Sequence, residues 1–399
     1  RDPLWPLIAA LLAAVFLLVA VAGGLAWPVT RRARAARLGL LAAYYLALNV
    51  TLLVGCAALW AAHPVAGRRD GERWQRAHTA LLRAVLGRLR RAAGPLLGFR
   101  VLLEEPPAAD RLDSGPLLLL ARHAGPGDSF TLVDLLLSRY HRTPRIVLKH
   151  SLQWDPGLDV ILNRLGACFL PRAGGHAALT ARLADLARDL HAGDAMLIFP
   201  EGRNWTPRRY QRAIARLRRR AYRAGAASGR AAVDRQAAAD AEQNPNVLPP
   251  QPGGVLAALA ARPDLGIAVI AHTGLDELVT PAQVWRALPL HERPMTIRWW
   301  YVPPGTVASD PAAQYQWLRV QWALVDSWIG ARKAQSGLAG AAPGPDPAEL
   351  AAVPAEPAAA AMPDPVAPGV PDPVATGVPD PVAGDEPSAD GDPLLDTPG

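Results

Sequence analysis

The hydrophobic pattern divides the chain into three regimes. Residues 4–27 and 38–62 are apolar throughout, 24 and 25 residues without a charge; about 20 such residues suffice to cross a hydrocarbon core as a helix. From about residue 98 the pattern changes to short apolar runs at 99–103, 116–121, 145–149, 167–170, 195–199, 265–271 and 295–302. Runs of that length between Gly, Pro and Asp read as strands. The intervening stretches at 129–140, 176–191, 206–223 and 312–332 carry apolar residues at helical spacing. Strands alternating with helices predict an α/β fold with a mixed, largely parallel sheet flanked by helices, behind an N-terminal hydrophobic helical hairpin. In such sheets ligands sit at the carboxyl ends of the strands. The third regime has no periodicity. It repeats PDPVAPGV at 363–370, PDPVATGV at 371–378 and PDPVAGD from Pro379, and Pro alternating with small residues cannot bury a core. The expected organisation is a membrane hairpin at 1–66, an α/β domain at 67–333 with an insertion at 203–252, and a disordered Pro/Ala-rich acidic tail at 334–399.

Charge sharpens this division. The chain carries 42 basic and 35 acidic residues, a net +7, but the tail from Ala334 holds eleven acids and no base. That leaves +18 on the first 333 residues, so the body faces something anionic. Trp5, Trp27 and Trp60 bracket the apolar stretches as interfacial aromatics do. The second stretch would anchor the chain even if the first were a cleaved leader. Arg31, Arg32, Arg34 and Arg37 lie between the stretches, and eight arginines follow at 68–91. The larger count after the hairpin favours a cytoplasmic body; a hairpin that dips into one leaflet and returns fits the same charges. Two cysteines, Cys56 and Cys168, exclude a disulfide scaffold and a Cys-based zinc site.

Candidate chemistry follows the apolar runs. After Leu117–Ala121 comes Arg122-His123-Ala124-Gly125-Pro126-Gly127-Asp128-Ser129-Phe130. The glycines and proline force a turn that can fold Asp128 back toward His123, where a carboxylate on one imidazole nitrogen prepares the other as a base. Asp128 or Ser129 is also placed to cap the next helix, and His123 could be an ordinary loop residue. Pro200-Glu201-Gly202-Arg203 follows the run 195–199, and Arg172 lies just beyond the run 167–170, where it could meet a phosphate. Residues 203–223 hold nine arginines and no acid, with Trp205, Tyr210, Ile214, Leu217 and Tyr222 interspersed. A basic amphipathic helix can lie on anionic lipid. Nucleic acid is the competing partner, but with an apolar hairpin in the same chain lipid is favoured and no nucleic acid is expected.

The order of these pieces, His-x4-Asp after a strand, then Gly166-x-x-Phe169-x-x-Arg172, then Phe199-Pro200-Glu201-Gly202, resembles the glycerolipid acyltransferase family, whose best-known members are the 1-acyl-sn-glycerol-3-phosphate acyltransferases. The resemblance covers roughly residues 75–305. It implies His123 as general base oriented by Asp128, Arg172 at the acceptor phosphate with Lys149 upstream, and Glu201 and Gly202 shaping the acceptor site. The family continues its third motif with Thr-Arg where this chain has Arg203-Asn204, so Arg203 stands one place from the expected arginine. The family's fourth motif is built on a proline in an apolar strand; 267–271 supplies the strand without the proline, and no site residue is assigned there. The insertion is similar to that of the eukaryotic-type branch that includes lysocardiolipin acyltransferases.

The resemblance implies transfer of a fatty acyl group from an acyl thioester, on coenzyme A or acyl-carrier protein, to a lysophospholipid hydroxyl at a membrane. The leading acceptor is 1-acyl-sn-glycerol-3-phosphate; another lysophospholipid or a glycolipid is the alternative. No metal or further cofactor is implied. Two other classes compete. Gly127-Asp128-Ser129-Phe130 mimics the Gly-Asp-Ser-Leu motif of a lipid hydrolase, but the Asp-x-x-His such enzymes need is absent from the sequence. A non-enzymatic lipid-binding scaffold would explain the charge but not three ordered motifs.

Overall fold

The structure, a computed structural model, describes residues 5–25, 33–62, 71–105, 115–149, 153–170, 176–225 and 228–337. The two apolar stretches form helices α1 (Trp5–Leu25) and α2 (Arg34–Ala62). The hairpin is close-packed because Gly39 lacks a side chain: a Cβ there would stand 2.6 Å from the carbonyl oxygen of Phe16. One face of α2, including Ala43, Leu46, Asn49, Leu52 and Cys56, is buried. Polar ties run along that helix. Near its start Arg34 donates to the carbonyls of Leu288 and Arg286 and Arg37 to those of Pro95 and Leu96; further on, Tyr45 and Asn49 donate to Asp155; and Arg164 donates to the carbonyl of Cys56.

Next comes α3 (Glu72–Leu97), where the arginine-rich stretch hides an apolar face of Trp74, His78, Leu82, Val85 and Leu86. The α/β body then runs β1 (Val101–Glu104), β2 (Leu117–Ala121), α4 (Asp128–Ser138), β3 (Thr143–Lys149), α5 (Pro156–Arg164), β4 (Cys168–Leu170), α6 (His176–Arg188), β5 (Asp194–Ile198), α7 (Pro207–Arg223), α8 (Gly229–Gln243), α9 (Pro252–Ala261), β6 (Gly266–Thr273), α10 (Pro281–Ala287), β7 (Met295–Val302) and α11 (Pro311–Gly337). All seven expected strands are present. Helix α11 extends four residues past the expected domain boundary. The repeat-bearing segment beyond it lies outside the described residues.

The sheet order is β1-β7-β6-β2-β5-β3-β4. Every pairing is parallel except β6 with β7, so the sheet is mixed and largely parallel. The central strands are covered on both faces. Leu117, Leu119 and Ala121 join one core with residues of α2, α3, α4 and α5. Leu118 and Leu120 join the other with Leu183, Leu259 and Trp322 of α6, α9 and α11. Two-sided burial is why these strands read as continuous apolar runs rather than alternating ones. The parallel pairing of β2 with β6 and β5 sets the carboxyl ends of the three strands side by side at one edge, with β2 in the middle.

Candidate active site

The turn after β2 is held in place by backbone. Gly125 has φ +84°, and a Cβ there would stand 2.8 Å from the carbonyl oxygen of Leu275, so only glycine fits against the loop after β6. Gly127, also at positive φ, is the residue that caps α4, and no side chain closes the cap. This corrects the expectation that Asp128 or Ser129 would cap the helix: Asp128 is its first residue. Its side chain points back instead. Oδ2 accepts from His123 Nδ1 at 2.6 Å and from the Ala124 N–H at 3.0 Å, and Oδ1 accepts from the Ser129 N–H at 2.6 Å.

Burial raises the Asp128 carboxyl, but the hydrogen bond and charge of His123 and the Ser129 N–H more than offset it, leaving the group below its ordinary value. A carboxylate only accepts, so Nδ1 of His123 carries a proton, and the neutral form of the ring has its lone pair on Nε2. No hydrogen bond engages Nε2 among the described residues. The imidazole is 20% exposed and lies against the Phe199 ring, with centroids 4.4 Å apart. Buried carboxylate, oriented imidazole and an open nitrogen are the parts of a general base. Ser129 Oγ donates to Asp128 Oδ1 at 3.1 Å. It has no contact with His123 that would activate it as a nucleophile.

A second histidine, unassigned by sequence, completes the floor. His272, at the end of β6, is buried, and its Nε2 lies 2.9 Å from the carbonyl oxygen of Arg122 and 3.8 Å from Asp128 Oδ2. Burial, with the Arg122 charge adding to it against the raising effect of Asp128, lowers its pKa to about 4. It is therefore neutral near pH 7 and donates to the Arg122 carbonyl. The available signal was its place just past an apolar run, where chemistry was to be sought.

Arg122 is buried completely. Its guanidinium donates to the carbonyls of Asn246 and His272 and to Asp276 Oδ2, which Lys333 Nζ meets at 2.7 Å. Arg122 and Lys333 both lie over the Trp205 ring. The Trp205 N–H in turn donates to the His123 carbonyl at 2.6 Å. The start of the insertion, Asn246 near its end and the last turns of α11 thus converge beneath His123.

The other assigned residues divide. Glu201, after β5, is buried with neither oxygen in a closed hydrogen bond. Burial pushes its carboxyl up to about 8, although the Arg122 charge and the nearby N–H groups of Leu248 and His123 favour the ionised form. Glu201 is thus a second layer beneath the rim, and the exposed residues there are Gly202 and Arg203. Lys149 ends β3 on the same edge of the sheet. Arg172 lies outside the described residues.

Residues 103–253 match the family model described as Acyltransferase. No curated protein matches the chain. Among solved structures, the 1-acyl-sn-glycerophosphate (LPA) acyltransferase PlsC from Thermotoga maritima is similar at 14% identity, covering 72% of this chain and 96% of that one, with a TM-score of 0.42. The matched segment runs from β1 to the start of α9 and holds the His123–Asp128 pair and the Phe-Pro-Glu-Gly turn. The chain thus carries an Acyltransferase domain over residues 103–253.

Proposed function

We propose that this chain transfers a fatty acyl group from an acyl thioester to the free hydroxyl of a lysophospholipid, with 1-acyl-sn-glycerol-3-phosphate the leading acceptor. The observation that carries the reading is the 2.6 Å contact between His123 Nδ1 and Asp128 just past the carboxyl end of β2, with Nε2 unengaged. Nε2 takes the hydroxyl proton as the acceptor oxygen attacks the thioester carbonyl. The tetrahedral intermediate then expels the thiolate, which recovers the proton from the imidazolium, so His123 ends as it began. Asp128 supports the transient imidazolium. A thiolate is a good leaving group, so positioning of the two substrates supplies much of the rate. Arg172, with Lys149 and Arg203, is proposed to receive the acceptor phosphate, and Gly202 to shape the opening beside it. Glu201 acts from beneath. The engagement of Ser129 with Asp128 rather than His123 weighs against a serine hydrolase.

Attachment to the membrane is proposed through α1 and the outer face of α2. Leu11, Leu18 and Val21 of α1 are exposed, and α2 is long and apolar enough to span a bilayer. Yet α2 is tied to the body from Arg34 to Cys56, roughly 33 Å of helix at 1.5 Å per residue. That favours a hairpin lying along the body and dipping into one leaflet, with the body on the cytoplasmic side as the arginine distribution suggests. The test is purified protein in neutral detergent with labelled acyl-coenzyme A and a panel of lysolipids. A labelled diacyl product that depends on His123 supports the reading. Release of free fatty acid without acyl transfer, or no turnover with either coenzyme A or carrier-protein thioesters, would overturn it.

A further inference from the structure

Helix α7 lies in the insertion, and its charge is sorted by face in a way the sequence count of nine arginines does not reveal. Arg208, Arg212, Arg216, Arg219 and Arg223 are spaced four, four, three and four residues apart and are all exposed. At 3.6 residues per turn and 1.5 Å per residue they occupy an arc of about 80° over roughly 22 Å, a straight stripe along the outer surface. The opposite face buries Tyr210, Ile214 and Ala221, with Tyr210 and Ile214 in a small core with Ala241 of α8 and Leu248. The acids of α8 go elsewhere: Glu242 pairs with Arg218 at 2.6 Å and Asp234 with Arg220 at 3.3 Å, both on the flanks of α7, and Asp240 pairs with Arg319 of α11. No arginine of the stripe pairs with a carboxylate among the described residues. Like charges five deep along one line repel one another, and an anionic surface relieves that repulsion.

We propose that this stripe is a docking surface for the headgroups of an anionic bilayer, and that it sets the orientation of the candidate active site on the membrane. Surfaces that hold single-stranded nucleic acid combine cations with aromatic rings on which bases stack. Here those rings are withdrawn. Tyr210 is buried with its hydroxyl on the Ala241 carbonyl, and Trp205 is covered by Arg122 and Lys333 with its indole N–H on the Pro245 carbonyl. Only Tyr222, 88% exposed at the far end of the helix, stays outside, and an amphipathic ring of that kind suits a headgroup layer. A stripe of that length also exceeds any one phosphate group, so the occupant is a surface rather than a small anion. The docking is coupled to the site by chain connectivity. Residues 203–206 join Glu201-Gly202 to α7, and the Trp205 N–H is bonded to the His123 carbonyl. A helix held flat on headgroups therefore holds the rim of the candidate site beside them.

The test is co-flotation of the full chain, without substrate, with vesicles of phosphatidylcholine alone or mixed with phosphatidylglycerol. The parent should bind the anionic vesicles at least about ten-fold more tightly at low salt, and high salt should erase the difference. Changing all five stripe arginines to glutamine should bring anionic binding to within about two-fold of neutral, while changing the same five to lysine should keep most of the preference. Matching circular dichroism and melting of the variants confirms that the exposed substitutions leave the fold intact. A parent without preference for anionic vesicles, a glutamine variant that keeps it, or a lysine variant that loses it would each overturn the proposal. So would tighter binding of a single-stranded RNA oligonucleotide that the glutamine variant loses, which would assign the stripe to nucleic acid. Turnover in neutral micelles is read separately, so failure of the acyl-transfer reading leaves the vesicle result standing, and the reverse.

Discussion

The ammonium of Lys333 lies 2.7 Å from Oδ2 of Asp276, joining the end of α11 to the loop after β6 behind the His123 turn. Asp276 also accepts from Thr273, the Gly274 N–H and the guanidinium of the wholly buried Arg122. Burial raises its carboxyl, but Arg122 and then Lys333 outweigh that and hold it well below the ordinary carboxylate range. A depressed carboxyl contributes stability that is fully present above its unfolded pKa of about 4 and lost as pH falls through the folded value. Asp276→Asn leaves Arg122 buried without a countercharge and should cost about 3–5 kcal/mol near neutral pH. Lys333→Met should cost only about 1 kcal/mol, because that ammonium is partly in water. Denaturant unfolding from pH 8 downward should show the Asp276→Asn deficit constant to about pH 5 and shrinking below about pH 4. A deficit independent of pH would remove the ion pair as its cause.

His123→Ala should reduce acyl transfer by on the order of a thousand-fold, the usual loss for a positioned general base. Asp128→Asn should be nearly as severe. The amide cannot support an imidazolium, and the four donors now on the carboxylate would face a group with a single acceptor oxygen. Ser129→Ala should stay within about three-fold, since it loses one hydrogen bond to an already well-satisfied carboxylate. A dead Ser129→Ala enzyme beside an active His123→Ala enzyme would turn the assignment toward a hydrolase.

The strands were legible because burial on both faces leaves uninterrupted apolar runs such as Leu117–Ala121. The helices were less so. In α3 the stripe Trp74, His78, Leu82 and Val85 is diluted by six arginines of the same helix, and in α8 alanine on every side leaves no periodicity to read. In the site, His123 and Asp128 could be paired because only four residues, two of them turn-forming glycines, separate them. His272 and Asp276 reach the same place only because β6 lies beside β2 in the sheet, and Lys333 because α11 folds back across it. Lys333 was the last residue of the expected domain, with no local pattern to distinguish it. Contacts across 150 residues and more carry no local signal, apart from the rule that the ends of parallel strands share one edge.

His272 gives that geometry a pH signature. Its folded pKa, lowered to about 4 chiefly by burial, lies below the ordinary value of about 6.5, so the unfolded chain binds the proton more readily. Stability is then lost as pH falls from about 6.5 to about 4, with a slope approaching one proton. His272→Gln can still donate to the Arg122 carbonyl but cannot be protonated. The difference between parent and variant should therefore move in the variant's favour across that interval. Parallel stability curves from pH 7 to pH 4 would show that His272 does not titrate with folding.

Arg172→Ala should raise the apparent Michaelis constant for a phosphate-bearing lysolipid by about ten-fold or more, since a charge-assisted contact is worth roughly 1.5–3 kcal/mol. The constant for the acyl donor should move much less. Steady-state kinetics with each substrate varied in turn make the comparison. An unchanged acceptor constant, or equal increases for both substrates, would detach Arg172 from the phosphate.

Glu201 should show the opposite pH behaviour to Asp276. Its carboxyl is pushed up to about 8 by burial, against an unfolded value of about 4.3, so the folded chain holds the proton that the unfolded chain releases. Between those values stability falls as pH rises, and above about 8 the full cost is present. Glutamine has the shape of the protonated acid and no charge to bury. Glu201→Gln should match the parent near pH 4–5, gain on it steadily toward pH 8, and hold a constant advantage beyond. Its effect on the proposed acyl transfer should fall on the acceptor's Michaelis constant rather than on turnover, because the group is buried beneath the exposed Gly202 and Arg203. A variant that is less stable than the parent at pH 8 would mean that the carboxylate is ionised and paired in the folded protein.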